Sequence, residues 1–67
     1  MSQNSELILK GIMGLDEEAA LAFIKRYGMI SRVTRRDENW VVCTRDFRRE
    51  RVNIELDDGL VTRAEVG

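Results

Sequence analysis

The stretch RVNIELDDGLVTRAEV, residues 51–66, decides the fold class. Val52, Ile54 and Leu56 alternate with Asn53 and Glu55, the period of two that lays one side of a strand against a core. Asp57-Asp58-Gly59 then gives a hairpin turn, and residues 60–66 return as a second, antiparallel strand. Upstream, Asp16 is placed to cap a helix, with Glu17 and Glu18 in a first turn where the dipole favours acids. Lys25 and Arg26 fill the last turn, and Gly28 suits the left-handed position beyond it. Ala20, Phe23, Ile24 and Tyr27 recur at i, i+3, i+4 and i+7 as one apolar stripe. Residues 29–34, with Ile30 and Val33, read as a strand, and residues 35–39 as an exposed connection. Residues 2–6 read as frayed polar chain and residues 7–14 as an irregular apolar lead-in resting on the core. The expected fold is a single α+β domain over residues 1–67, with residues 1–6 disordered. One helix packs on a small mixed sheet, a long exposed loop spans residues 39–47, and a hairpin closes the chain.

Composition narrows the function. A chain of 67 residues holds one small domain, and 43% hydrophobic with 34% charged residues suits a small core under a polar surface. A net charge of −1 gives no overall field for nucleic acid or anionic lipid. No run approaches the ~20 apolar residues of a membrane span, and the N-terminus lacks the basic and apolar regions of a signal peptide, so the chain reads as soluble and unexported. The single cysteine, Cys43, forms no internal disulfide and weakly favours a reducing compartment. Histidine is absent, which removes the commonest general base and its nucleophile pairings. No ligand cluster surrounds Cys43. The expectation is a protein that is not an enzyme and needs no cofactor or metal.

The middle of the chain is different in character. Residues 32–51 carry Arg32, Arg35, Arg36, Arg45, Arg48, Arg49 and Arg51 against Asp37, Glu38, Asp46 and Glu50. With Trp40 and Phe47 interleaved, such a segment can contact phosphates and stack bases. The plainer reading is a solvated face whose arginines pair with the nearby acids. Residues 40–47 have extended propensity and run into a cluster of guanidiniums. Each guanidinium donates several hydrogen bonds from a planar fork, so Arg48 and Arg51 can hold the Thr44 hydroxyl and the Asp46 carboxylate from beneath. A loop held in that way is rigid without a disulfide.

The run TRDFRRERVNIELDDGLV, residues 44–61, closing at Val66-Gly67, resembles the C-terminal half of the potato inhibitor I family, and its small bacterial relatives more closely still. The likeness covers residues 41–67, and residues 14–28 correspond more loosely to that family's helix. The resemblance implies a serine-protease inhibitor whose loop enters the enzyme's cleft as a substrate does. By that correspondence Arg45 fills the primary specificity pocket and the Arg45–Asp46 bond faces the catalytic serine. Cys43, Thr44, Arg45, Asp46 and Phe47 form the reactive-site loop, supported by Arg48 and Arg51. The implied partner is a trypsin-like serine protease, and strand 29–34 is implied to pair in parallel with strand 51–57, the loop serving as crossover. Two alternatives stay open on the same scaffold. One is an interaction module, including a homo-oligomer through the hairpin edge; the other is nucleic-acid binding through the arginine segment.

Overall fold

In a computed structural model, the backbone is described for residues 2–67 and the side chains for residues 5–67. Two helices, α1 (Ser2–Ile12) and α2 (Glu17–Arg26), precede four strands: β1 (Ile30–Arg36), β2 (Asn39–Trp40), β3 (Arg51–Asp57) and β4 (Leu60–Val66). The sheet order is β2-β1-β3-β4, with β1 parallel to β3 and the other two pairs antiparallel. This is the expected α+β fold with a mixed sheet, enlarged by one helix and one short strand. No helix among the described residues is long and apolar enough to cross a membrane.

The helix read from the sequence is α2. Asp16 caps it, its Oδ1 accepting from the Ala19 N–H at 2.8 Å, and Gly28 ends it at φ +78°. Ala20 and Ile24 are fully buried, but Tyr27 at the end of the stripe is half exposed and stacks against Phe23 with ring centroids 5.1 Å apart. The stripe turns away from the sheet as the helix finishes.

Residues 2–12 correct the reading of a frayed and irregular N-terminus, since they form α1. Met1 lies outside the described residues. Ile8 and Ile12, one turn apart, are both fully buried, so two isoleucines anchor the helix. Gly11 does not break it, because its missing side chain makes room for a neighbour: a Cβ there would stand 2.6 Å from Phe23 Cζ. Helix–helix contact at that position explains a glycine inside the helix.

Val52, Ile54 and Leu56 of β3 face the helices and form the core with Ile8, Ile12, Ala20, Ile24 and Val61. A bulge adjusts β4: Glu55 pairs with Arg63 and Leu56 with Val61, leaving Thr62 as the extra residue. Without it Val61 and Ala64 would lie on opposite faces; with it both reach the core side. Asp58 and Gly59 both take positive φ, 54° and 78°, as a two-residue hairpin turn requires.

Residues 35–39 also depart from the expected loop. β1 continues to Arg36 and turns through Asp37, at φ 55°, so that β2 pairs back on it. Asp37 holds this turn, its N–H donating to the Leu56 carbonyl at 2.7 Å and its Oδ1 accepting from the Asp58 N–H at 2.8 Å. Irregular chain therefore begins at Val41, and residues 37–50 form the crossover between the parallel strands β1 and β3.

Ile54 is central in the sheet and wholly buried. Ile54→Ala should cost about 2–5 kcal/mol, much of the total expected of so short a chain, whereas truncating the exposed Leu7 should stay within about 0.5 kcal/mol. Urea unfolding of both variants measures the contrast.

Candidate functional site

Strand alternation prepares the site. If Val52 and Ile54 point to the helices, Arg51 and Asn53 point to the opposite face of the sheet, beneath the crossover. The parallel register sets Arg32 of β1 beside Asn53, and Arg32 Nε donates to Asn53 Oδ1 at 2.9 Å. Arg32 and Arg51 thus rise from neighbouring strands on the side that the loop crosses.

Arg51 is only 7% exposed. Its Nη2 donates to the Asp46 carbonyl at 2.8 Å and to the Gly67 carbonyl at 2.8 Å, and lies 3.5 Å from Asp46 Oδ1. Its Nε has no hydrogen-bond partner among the described residues. Gly67 closes the arrangement, its N–H donating to the Arg51 carbonyl at 3.0 Å and its carbonyl accepting from the Arg48 N–H at 3.1 Å. Arg48 Nε donates to Asp46 Oδ2 at 3.0 Å.

Asp46 is therefore gripped as expected by Arg48 and Arg51. Thr44 is not. Neither of those arginines reaches it; Arg32 Nη1 donates instead to its carbonyl at 3.3 Å and to its hydroxyl oxygen at 3.2 Å. The Thr44 hydroxyl in turn donates to Asp46 Oδ1. Arg48 and Arg51 lie on the far side of Asp46 along the chain, while the register of β1 delivers Arg32 under residue 44. In the sequence Arg32 is one of seven arginines in residues 32–51, with no partner assigned to it. The signal was present in the alternation of β1: with Val33 inward, Arg32 points outward, but only the parallel register shows which loop residue stands above it.

Arg45, between the two clamped residues, is exposed and makes no ion pair or side-chain hydrogen bond among the described residues. Phe47 is 69% exposed and Val42 is 99% exposed. Cys43 is half-buried, with Sγ 3.3 Å from the Val41 carbonyl oxygen. The loop thus leaves Val42, Arg45 and Phe47 in solvent without side-chain hydrogen bonds among the described residues, while its threonine and aspartate, also exposed, are held by the arginines as struts.

Outside the loop most of the arginine segment is occupied. Arg35 forms a two-pronged bond to Asp57 at 2.8 Å and 2.8 Å, bonds Glu55 at 2.8 Å, and sits 5.7 Å from the Trp40 ring centroid. Arg36 pairs with Glu17 at the start of α2. Of the seven arginines in residues 32–51, only Arg45 and Arg49 lack an ion pair among the described residues.

The electrostatics follow these contacts. The Thr44 hydroxyl, then Arg48 and Arg51, hold the Asp46 carboxyl well below the usual carboxylate range against the opposing effect of desolvation. Asp57 is lowered likewise by Arg35 and Thr62. The loop therefore has a charged strut. Comparison with family models, curated proteins and solved structures found no match.

Because the folded carboxyl of Asp46 is depressed, its contribution is fully present above the unfolded value of about 3.9 and is lost as pH falls through the lower folded one. A carbon-13 titration of the Asp46 carboxyl should accordingly show its midpoint far below that of a free aspartate. Arg51→Ala removes a buried donor shared by Asp46 and Gly67 and should cost about 1.5–3 kcal/mol, with faster proteolytic nicking within residues 41–48. Urea unfolding and timed digestion check the two effects.

Proposed function

We propose that the protein inhibits serine endopeptidases in the manner of the potato inhibitor I family, presenting the loop around Arg45 to proteases that cleave after basic residues. The observation that carries this reading is the contrast at adjacent positions: Arg45 is exposed and without an ion pair among the described residues, while Thr44 and Asp46 on either side are bound down by Arg32, Arg48 and Arg51.

The chemistry is that of a substrate held in place. The protease serine oxygen attacks the Arg45 carbonyl carbon, and the Arg45–Asp46 bond breaks with the amine of Asp46 as leaving group, protonated by the enzyme's own acid. Arg32 holds the Thr44 side of that bond and Arg51 the Asp46 side, so both new ends stay anchored to one sheet. The amine remains beside the acyl group, and its return attack restores the peptide. Prior ordering of the loop also spares the ~1–2 kcal/mol per residue that a flexible peptide loses on docking. The positive charge of Arg45 calls for a buried acid in the primary pocket, which favours a trypsin-like target.

The nucleic-acid alternative is weaker because Arg32, Arg35, Arg36, Arg48 and Arg51 are already paired with carboxylates. Phosphates would have to displace those partners.

Titration against trypsin-like and subtilisin-like enzymes tests the proposal. Stoichiometric loss of trypsin-like activity is expected, and Arg45→Ala should weaken it by at least ~30-fold, the scale of a central binding residue. Failure to inhibit any serine protease of the panel would leave the interaction module as the better reading.

A further inference from the structure

The edge of β4 carries information that the loop does not use. Gly14 N–H donates to the Val61 carbonyl, Val61 N–H donates to the Leu15 carbonyl, and Asp16 bridges to Leu60, so the chain before α2 covers the start of this edge. Beyond Val61, residues 62–66 have no strand partner on that side among the described residues. Arg63 and Glu65 are registered with Glu55 and Asn53 of β3, and the Gly67 N–H donates to the Arg51 carbonyl. In an antiparallel ladder alternate residues turn both backbone groups to the same neighbour. Arg63, Glu65 and Gly67 therefore face β3, and the N–H and C=O groups of Ala64 and Val66 face outward.

We propose that a second copy of this chain occupies the edge, with the two β4 strands antiparallel about a two-fold axis at Ala64. In that register Ala64 exchanges two backbone hydrogen bonds with Ala64 of the second copy. Arg63 then stands opposite Glu65 of the second copy, and Glu65 opposite Arg63 of the second copy. Sliding to the next bonded register, Ala64 against Val66, would set Glu65 directly opposite its own counterpart, which like charges disfavour. The charges thus favour the Ala64-centred register over that slip. Protective charges on a natural edge ordinarily obstruct pairing; here their signs are self-complementary. Both side chains are free to change partners: they are 68% and 64% exposed, and Arg63 lies 3.7 Å from Glu55 and 3.7 Å from Glu65, outside hydrogen-bond distance.

The axis runs normal to the sheet, joining two four-stranded sheets into one continuous sheet with both helical layers on one side. Both Arg45 loops then lie on the other side, toward opposite ends, and neither is covered. The inference is independent of whether the loops inhibit a protease.

Sedimentation equilibrium of the intact chain from micromolar to millimolar concentration tests it at low salt. The mass should rise from 7.7 kDa toward twice that value. Arg63→Glu or Glu65→Arg alone replaces both cross-dimer pairs with like charges and should weaken association by about 10-fold, and the double exchange should restore it. Ala64→Pro, which removes an outward N–H that the monomer does not use, should abolish association while leaving the circular dichroism spectrum unchanged. If that variant fails to fold, the charge exchange decides alone. A mass of one chain at every concentration, or association that both single charge variants leave untouched, overturns the proposal.

Discussion

The arrangement depends on one guanidinium kept almost out of water. Arg51 stands at the first position of β3, where strand alternation points it away from the apolar core, and the crossover closes over it. Burial of an arginine is offset where its donors find acceptors, and the Arg51 Nη2 finds two backbone carbonyls and a carboxylate oxygen while Nε has no partner among the described residues. Those acceptors belong to the loop and to Gly67, so one side chain fixes the loop to the end of the hairpin. Small domains commonly secure such a loop with a disulfide; here charge-assisted hydrogen bonds take that place.

Arg32 and Arg48 extend the effect. The three arginines come from β1, the descending limb of the loop and β3, and all approach Asp46. Asp46 in turn binds Thr44, so the two residues flanking Arg45 are coupled through a single carboxylate. Convergence on one acid is what separates this network from scattered surface ion pairs, which individually contribute little. The other paired arginines of the segment are taken up separately, Arg35 by Glu55 and Asp57 and Arg36 by Glu17.

Much of this was legible in the sequence, and the gaps have specific causes. Residues 51–66 announce their hairpin because alternation and an Asp-Gly turn agree, and Asp16 with Gly28 bracket α2 correctly. α1 was missed because Gly11 and Gly14 suggest a break, and nothing local reveals that Gly11 makes room for the Phe23 ring. The turn at Asp37 lacks a glycine and is held by contacts with Leu56 and Asp58 from another part of the chain. Asp46, Arg48 and Arg51 lie within six residues of one another, so their spacing already suggests the contact. Arg32 reaches Thr44 only through the register of two parallel strands, which no local pattern encodes.

Backbone nitrogen-15 relaxation of the free protein tests the central claim most directly, because rigidity before any partner binds is what the bracing is held to produce. Order parameters for residues 43–47 should match the rigid sheet at about 0.85. Values below about 0.6, with β3 and β4 still rigid, would contradict it: Arg51 would then be anchoring the hairpin end and leaving the loop loose.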